Sequence, residues 1–275
     1  MKRSGTHITI VLIIQILSGC RAQSTASRFP YNIYQKTDSL TKSLINDPDA
    51  IRFNSADNIK LLSAQSMNNG YAQKLISKTN EAFRDTSEKI KKFELRWNDA
   101  AVAGGKRSEL VYNSVSSQER WYLFSTYLED FISDPYSVVI FQLHGVPDKD
   151  EAFREPNIAL AIKNNNYYLR VVGDQSRITN SQKVTTKYTK NLGHIENDSW
   201  TNWIIHVKLS FKNDGLIEMW KDGKLVHKEF GPNCYNDKFL PYLKFGLYVP
   251  GWKGLKKAPL ASKRVIYFDN VVIKE

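Results

Sequence analysis

From about residue 90 to the C-terminus, apolar and polar residues alternate in short runs with the period of two that puts successive side chains on opposite faces of a strand. In Lys92-Phe-Glu-Leu-Arg-Trp97, Phe93, Leu95 and Trp97 face one way and Glu94 and Arg96 the other. Arg107-Ser-Glu-Leu-Val-Tyr112 repeats the arrangement, with Arg107 and Glu109 opposite Leu110 and Tyr112. Arg120 to Leu128 reads as a further strand, and Ser137-Val-Val-Ile-Phe-Gln-Leu-His144 sets Val139, Phe141 and Leu143 against Gln142 and His144. Asn157 to Ile162 carries Ile158, Leu160 and Ile162 on one face, and a later run aligns Trp203, Ile205, Val207, Leu209 and Phe211. Asn213-Asp-Gly215 is a turn signal, and Asp222-Gly223 between Ile217–Trp220 and Lys224–His227 is a hairpin signal. Such strands, recurring at roughly ten to fifteen residues, predict an all-β chain folded as a sandwich or jelly roll, with a curved sheet whose concave side can hold an elongated ligand.

Before residue 90 the pattern is weaker. Asn68 to Ile76 suits a turn and a strand, and Glu81 to Lys91 a charged loop or short helix. At the start, Met1-Lys-Arg and the apolar run Ile8 to Leu17 form the basic and hydrophobic regions of an export signal, too short for a comfortable membrane span. The run ends in Leu17-Ser18-Gly19-Cys20, which resembles the bacterial lipobox, with Cys20 as the acylated residue. The expected organisation is a lipoprotein signal peptide over 1–19, a lipidated cysteine and polar tether over 20–34, and one domain over 35–275. The expected location is the periplasm, the outer membrane or the cell surface, anchored by lipid.

Two consequences follow for stability and charge. With Cys20 modified, Cys234 is the only remaining cysteine, so packing alone must hold the domain together. The net charge is +11, and removal of Lys2 and Arg3 with the signal leaves +9. A basic exported domain attracts polyanions.

Two strands carry candidate chemistry. Gln142 and His144 present an amide and an imidazole together, and histidine is the side chain that exchanges protons most readily near neutral pH. Lys244-Phe-Gly-Leu-Tyr248 presents Lys244, Gly246 and Tyr248 on one face, with the glycine leaving room for a substrate to approach the backbone. Arg107, Arg96 and Asn157 are assigned to substrate binding, while Glu109 and Glu94 suit ion pairs that brace the sheet. Trp252, in the loop Val249-Pro-Gly-Trp-Lys-Gly254, is expected to border the groove and touch substrate, whereas Trp203 belongs to an apolar face. His194, His206 and His227 have no matching partners and are read as structural.

Taken in order, these motifs resemble the heparin lyase I-like and glucuronan lyase-like polysaccharide lyases, from roughly Phe93 to Asn270. The resemblance implies a β-jelly roll, a concanavalin A-like sandwich with a concave substrate groove, that cleaves an acidic, uronic-acid-containing polysaccharide by β-elimination. Catalytic roles then fall to His144, Tyr248, Lys244 and Gln142, with a lowered Tyr248 pKa expected from nearby Lys244. Whether His144 or Tyr248 is the base stays open, because in some related lyases one tyrosine serves as both base and acid. A further N-terminal glutamine used by heparin lyases has two candidates, Gln65 and Gln73. Phe268-Asp269-Asn270 resembles a position that helps bind structural calcium in some concanavalin-like folds, although one aspartate falls far short of a site. The chemistry itself calls for no cofactor and the metal is unknown. The expected partners are an acidic polysaccharide and, through the lipid, a membrane; the protein is expected to be a monomer that does not bind nucleic acid. The alternative is a non-catalytic carbohydrate-binding lipoprotein on the same fold. A glycoside hydrolase ranks last, because no closely spaced acidic trio lies on a strand.

Overall fold

Strands with one apolar face need a second such face to bury against, and two antiparallel sheets supply it to each other. The computed structural model describes residues 39–53, 58, 62–66, 72–77, 89–132, 134–180 and 183–275. The export signal, Cys20 and the tether lie outside the described residues, as do 68–71 of the Asn68–Ile76 expectation and 81–88 of the Glu81–Lys91 expectation; Gln73–Ser77 is a strand, as expected, and residues 89–91 belong to a strand rather than to a loop or helix.

The first sheet runs in the order β13 (Lys224–Phe230), β12 (Leu216–Lys221), β11 (Trp200–Lys208), β6 (Glu119–Leu128), β15 (Lys263–Lys274), β4 (Lys89–Arg96) and β3 (Gln73–Ser77), with β1 (Ile51–Arg52) also paired to β15. The second runs β10 (Thr186–His194), β9 (Asn166–Gly173), β8 (Ile158–Lys163), β7 (Val138–Val146), β14 (Phe239–Val249), β5 (Lys106–Tyr112) and β2 (Ser63–Ser66). This is the expected jelly roll. At the β12–β13 hairpin, Asp222 and Gly223 both adopt positive φ, 50° and 76°, the backbone a tight two-residue turn requires.

Phenylalanines from both sheets meet between the layers. Phe124 stacks on Phe141 with centroids 5.3 Å apart, and Phe93 and Phe268 meet Phe245 edge-on or tilted at 5.8 and 5.4 Å. Each such ring contributes about 1.5–3 kcal/mol by burial. Phe141 and Phe245 lie on β7 and β14, so the core fixes the two central strands of the second sheet and with them the residues on their other face. One short helix, α1 (Ser39–Asn46), had no counterpart in the sequence reading; its Leu44 packs with Leu123, Ile204 and Val272 on the outside of the first sheet.

Two irregularities adjust the alternation. Against β8, strand β7 carries an extra residue between Val139 and Phe141, so Phe141 enters the core while Val139 packs with Ala159 and Ala161 on the opposite face. The expectation that Val139 and Phe141 share a face fails at this bulge. Against β7, strand β14 carries an extra residue between Phe245 and Tyr248, and Gly246 within it has φ +134°. A Cβ at Gly246 would sit 2.4 Å from the Ser108 carbonyl oxygen and 2.9 Å from Phe93 Cδ1. The glycine therefore allows close packing within the protein, rather than opening space for a substrate. Gly246→Ala is expected to lower unfolding stability by about 2 kcal/mol or more, from backbone strain plus that overlap. Denaturant titration checks this, and an unchanged midpoint would rule it out.

Candidate active site

On the face of the second sheet away from the core, three adjacent strands bring the expected side chains together. Register places His144 opposite Tyr242, Gln142 opposite Lys244, Glu109 opposite Gly246 and Arg107 opposite Tyr248. Alternation makes this possible: Phe141, Leu143, Leu243, Phe245 and Leu247 go into the core, and the residues between them go out.

Glu109 joins the group. Its side chain is 1% exposed; Oε2 accepts from Arg107 Nη1 at 3.0 Å, and Oε1 accepts from the Gln142 amide nitrogen. Burial raises its pKa above the ordinary carboxylate value, and Arg107, Lys244 and the Gln142 amide offset that rise only in part. Arg107 and Glu109 thus form the expected ion pair, along one strand rather than between two.

Arg107 has three further commitments. Nη2 donates to the Ala103 carbonyl at 3.0 Å, Nη1 donates to Gln65 Oε1 at 3.1 Å, and the guanidinium lies 4.0 Å from the Tyr248 ring centroid. Gln65 sits on β2 opposite Glu109. Gln73 instead donates its amide to the Glu109 backbone carbonyl at 2.7 Å from the other sheet. Of the two glutamines left open by sequence, Gln65 is the one whose side chain meets the site's side chains.

His144 Nδ1 lies 2.8 Å from the Gly145 carbonyl, so Nδ1 carries the proton and Nε2 is left with its lone pair. Burial chiefly depresses the imidazole pKa to about 4, and Lys244, Arg107 and Arg154 push the same way. At neutral pH the ring is uncharged. Burial also lowers the Lys244 ammonium to about 8, with Glu109 opposing. Tyr248 departs from expectation, because burial raises its pKa and the cation that counters this is Arg107. Lys244 instead lies 5.2 Å over the Tyr242 ring.

Two residues beside His144 escaped the sequence reading. Tyr242 lies 5.7 Å away by ring centroid, and Phe153, in the β7–β8 connection, lies 4.8 Å away although 70% exposed. Extending the Lys244/Tyr248 alternation back by two positions would have found Tyr242. Phe153 sits in an aperiodic loop with no such signal.

Two assignments, Arg96 and Trp252, are corrected by placement. Arg96 lies on β4 of the other sheet, bonded to Glu94 at 2.7 Å, with its apolar neighbours facing the core. Trp252 is wholly buried, because the turn Pro250–Trp252 folds the indole inward beneath Arg264. Asn157 has no exposed surface and packs against Gly145, where an added Cβ would lie 2.9 Å from Oδ1.

The calcium expectation finds little chemistry to rest on. Asp269 is buried with Oδ1 accepting the Asn270 backbone N–H at 2.8 Å. Among the described residues the three-carboxylate grouping is Asp148, Glu151 and Asp237, and Arg154 already bridges Glu151 and Asp237 at 2.8 and 2.6 Å.

A family model of polysaccharide lyases matches residues 54–272, most of the chain. The chain belongs to the polysaccharide lyase family. Among solved structures, this lyase is similar to an endo-β-1,4-glucuronan lyase from the fungus Trichoderma reesei, at 22% identity and TM-score 0.61, over 77% of this chain and 93% of that one. It is also similar to the family 7 alginate lyase A1-II′, at 14% identity and TM-score 0.54, over 81% and 96%. A third is alginate lyase Aly36B, at 11% identity and TM-score 0.51, over 83% and 98%. These likenesses show the shared fold. Comparison with curated proteins by sequence finds no match.

The His144 environment has a measurable consequence. Between its ordinary value of 6.5 and the folded value of about 4, the unfolded chain takes up a proton that the folded lyase refuses. The stability due to the neutral ring is therefore full above pH 6.5 and is lost as pH falls toward 4, by roughly 3 kcal/mol. Denaturant titrations across that window should show the wild type losing stability more steeply than His144→Gln. Parallel curves would mean the imidazole is not desolvated.

Proposed function

We propose that this lyase cleaves an acidic, uronic-acid-containing polysaccharide by β-elimination and leaves an unsaturated uronate at the new end. The observation that carries the reading is the convergence of a neutral imidazole, a phenol and two cations on one face of three neighbouring strands. The named substrates of the similar folds, glucuronan and alginate, support an acidic polymer, as does the chain's positive charge.

The reaction removes the proton at C5, α to the uronate carboxyl group, and expels the glycosidic oxygen from C4. That proton is barely acidic while the carboxylate is charged, so the developing enolate-like dianion needs donors and cations beside it. Gln142, Lys244 and Arg107 stand together for this task. His144 Nε2 takes the C5 proton, and Tyr248 gives its phenolic proton to the departing oxygen. The guanidinium over the Tyr248 ring favours the phenolate that results. The chemistry runs on these side chains with no redox step.

Turnover is followed by the ultraviolet absorbance of the conjugated product on a panel of polyuronates. Tyr248→Phe and His144→Ala are each expected to slow it by about a hundred- to ten-thousand-fold with little change in melting temperature. Wild-type rates in His144→Gln would assign both proton transfers to Tyr248. No product from any polymer, with binding that survives both substitutions, would instead identify a non-catalytic carbohydrate-binding protein.

The motif Leu17-Ser18-Gly19-Cys20 supports a lipid anchor that holds the domain in the periplasm or at the cell surface. Cys20→Ser should move the protein from the membrane fraction to the soluble one. Unchanged fractionation would argue against the anchor.

A further inference from the structure

The register that assembles the candidate site also reaches two strands farther across the sheet. Leu169 and Val171 of β9 are buried in the core, so Arg170 between them faces the same way as Gln142 and His144. Arg170 pairs with Ala159 of β8, Ala159 with Gln142 of β7, and Gln142 with Lys244 of β14. Four neighbouring strands thus contribute one row with a cation at each end, and each step along it is about 4.8 Å. Ala159 is the smallest side chain in that row, which keeps the floor low between Arg170 and the Gln142 amide.

Arg170 is held in place without being buried. Its Nη2 bonds Glu155 Oε2 at 2.7 Å, and Lys187 of β10 bonds the other oxygen of the same carboxylate at 3.2 Å. Two cations share one anion, which leaves a net positive charge on that face of the sheet. A guanidinium fork matches a carboxylate in geometry as well as charge.

We propose that Arg170, with Lys187 beside it, forms a second carboxylate-binding subsite that grips the same polymer two strands away from the uronate at Gln142. This rests on the reading of the protein as a polyuronate lyase. A pyranose unit advances an extended chain by about one strand spacing. A polymer laid across β7, β8 and β9 therefore brings a carboxylate about two sugars along to Arg170, and the protein reads two negative charges on one chain. Such a subsite favours polymers in which charged units recur over those with an isolated uronate.

The test compares wild type, Arg170→Gln and Arg170→Gln/Lys187→Gln, in kcat and KM on the polyuronate the wild type cleaves best. Dissociation constants for that polymer and for its carboxyl-reduced, neutral counterpart are measured by affinity electrophoresis. Loss of one half-exposed charged contact is expected to raise KM and Kd for the polyuronate about three- to tenfold, with kcat within about twofold. Binding of the reduced polymer, and turnover of oligosaccharides too short to reach from Gln142 to β9, should not change. A wild type that turns over the polyuronate while both variants keep its KM and Kd would overturn the subsite alone. A wild type that neither binds nor cleaves any polyuronate would overturn the subsite together with the lyase reading.

Discussion

A carboxyl group with almost no exposed surface needs positive charge and N–H donors in place of the water it has lost, and Glu109 imposes that condition on everything around it. Arg107 and Gln142 meet it by direct hydrogen bonds, and Lys244 by its charge. These are three of the groups to which the proposed β-elimination gives the uronate carboxyl group. Their positions are therefore set before any substrate arrives, by a residue that need not touch the substrate. The Gln73 amide on the Glu109 carbonyl extends the constraint to the opposite sheet.

The same desolvation leaves the cations under strain of a useful kind. Burial, with Lys244 and Arg107 adding to it, holds the imidazole neutral, and burial with the nearby Arg107 makes the Lys244 ammonium bind its proton less firmly than usual. An arriving carboxylate reverses the sign of this field. In the proposed reaction it would strengthen the charge on Lys244 and make Nε2 of His144 more basic as the base is needed. Phe153 contributes by covering one side of the imidazole while showing most of its own surface to solvent.

The fold was largely legible in the sequence because alternation with period two is dictated by what must be buried. The Asp222-Gly223 hairpin and the pairs Gln142/His144 and Lys244/Tyr248 follow from the same rule. It failed where the rule itself is interrupted. The extra residue before Phe141 moves Val139 to the other face, and no residue type in Val138-Val-Ile-Phe141 announces it. Trp252 and Arg96 were misplaced for a different reason: alternation says which side of a strand a residue takes, but not which sheet receives the strand or whether a turn folds inward. Gln65 against Gln73 is the same limit, since only pairing of β2 with β5 brings one of them to Arg107. Strand β9 and its Arg170 escaped because the tyrosines at 167 and 168 blur the contrast between faces.

Core and site are two faces of the same strands, so their tolerances are coupled. Phe245 cannot shift without moving Lys244 beside it, and the bulge that admits Gly246 against Ser108 also sets where Tyr248 emerges relative to Val139. A rigid aromatic layer beneath β7 and β14 thus does for distance what Glu109 does for charge. In the proposed reaction the phenol and the imidazole must both reach one sugar ring, and a sheet whose register is fixed from below by packed rings meets that demand more reliably than mobile loops. The loops are left to vary what surrounds the bond, as Phe153 and Glu155 in the β7–β8 connection do for the imidazole and for Arg170.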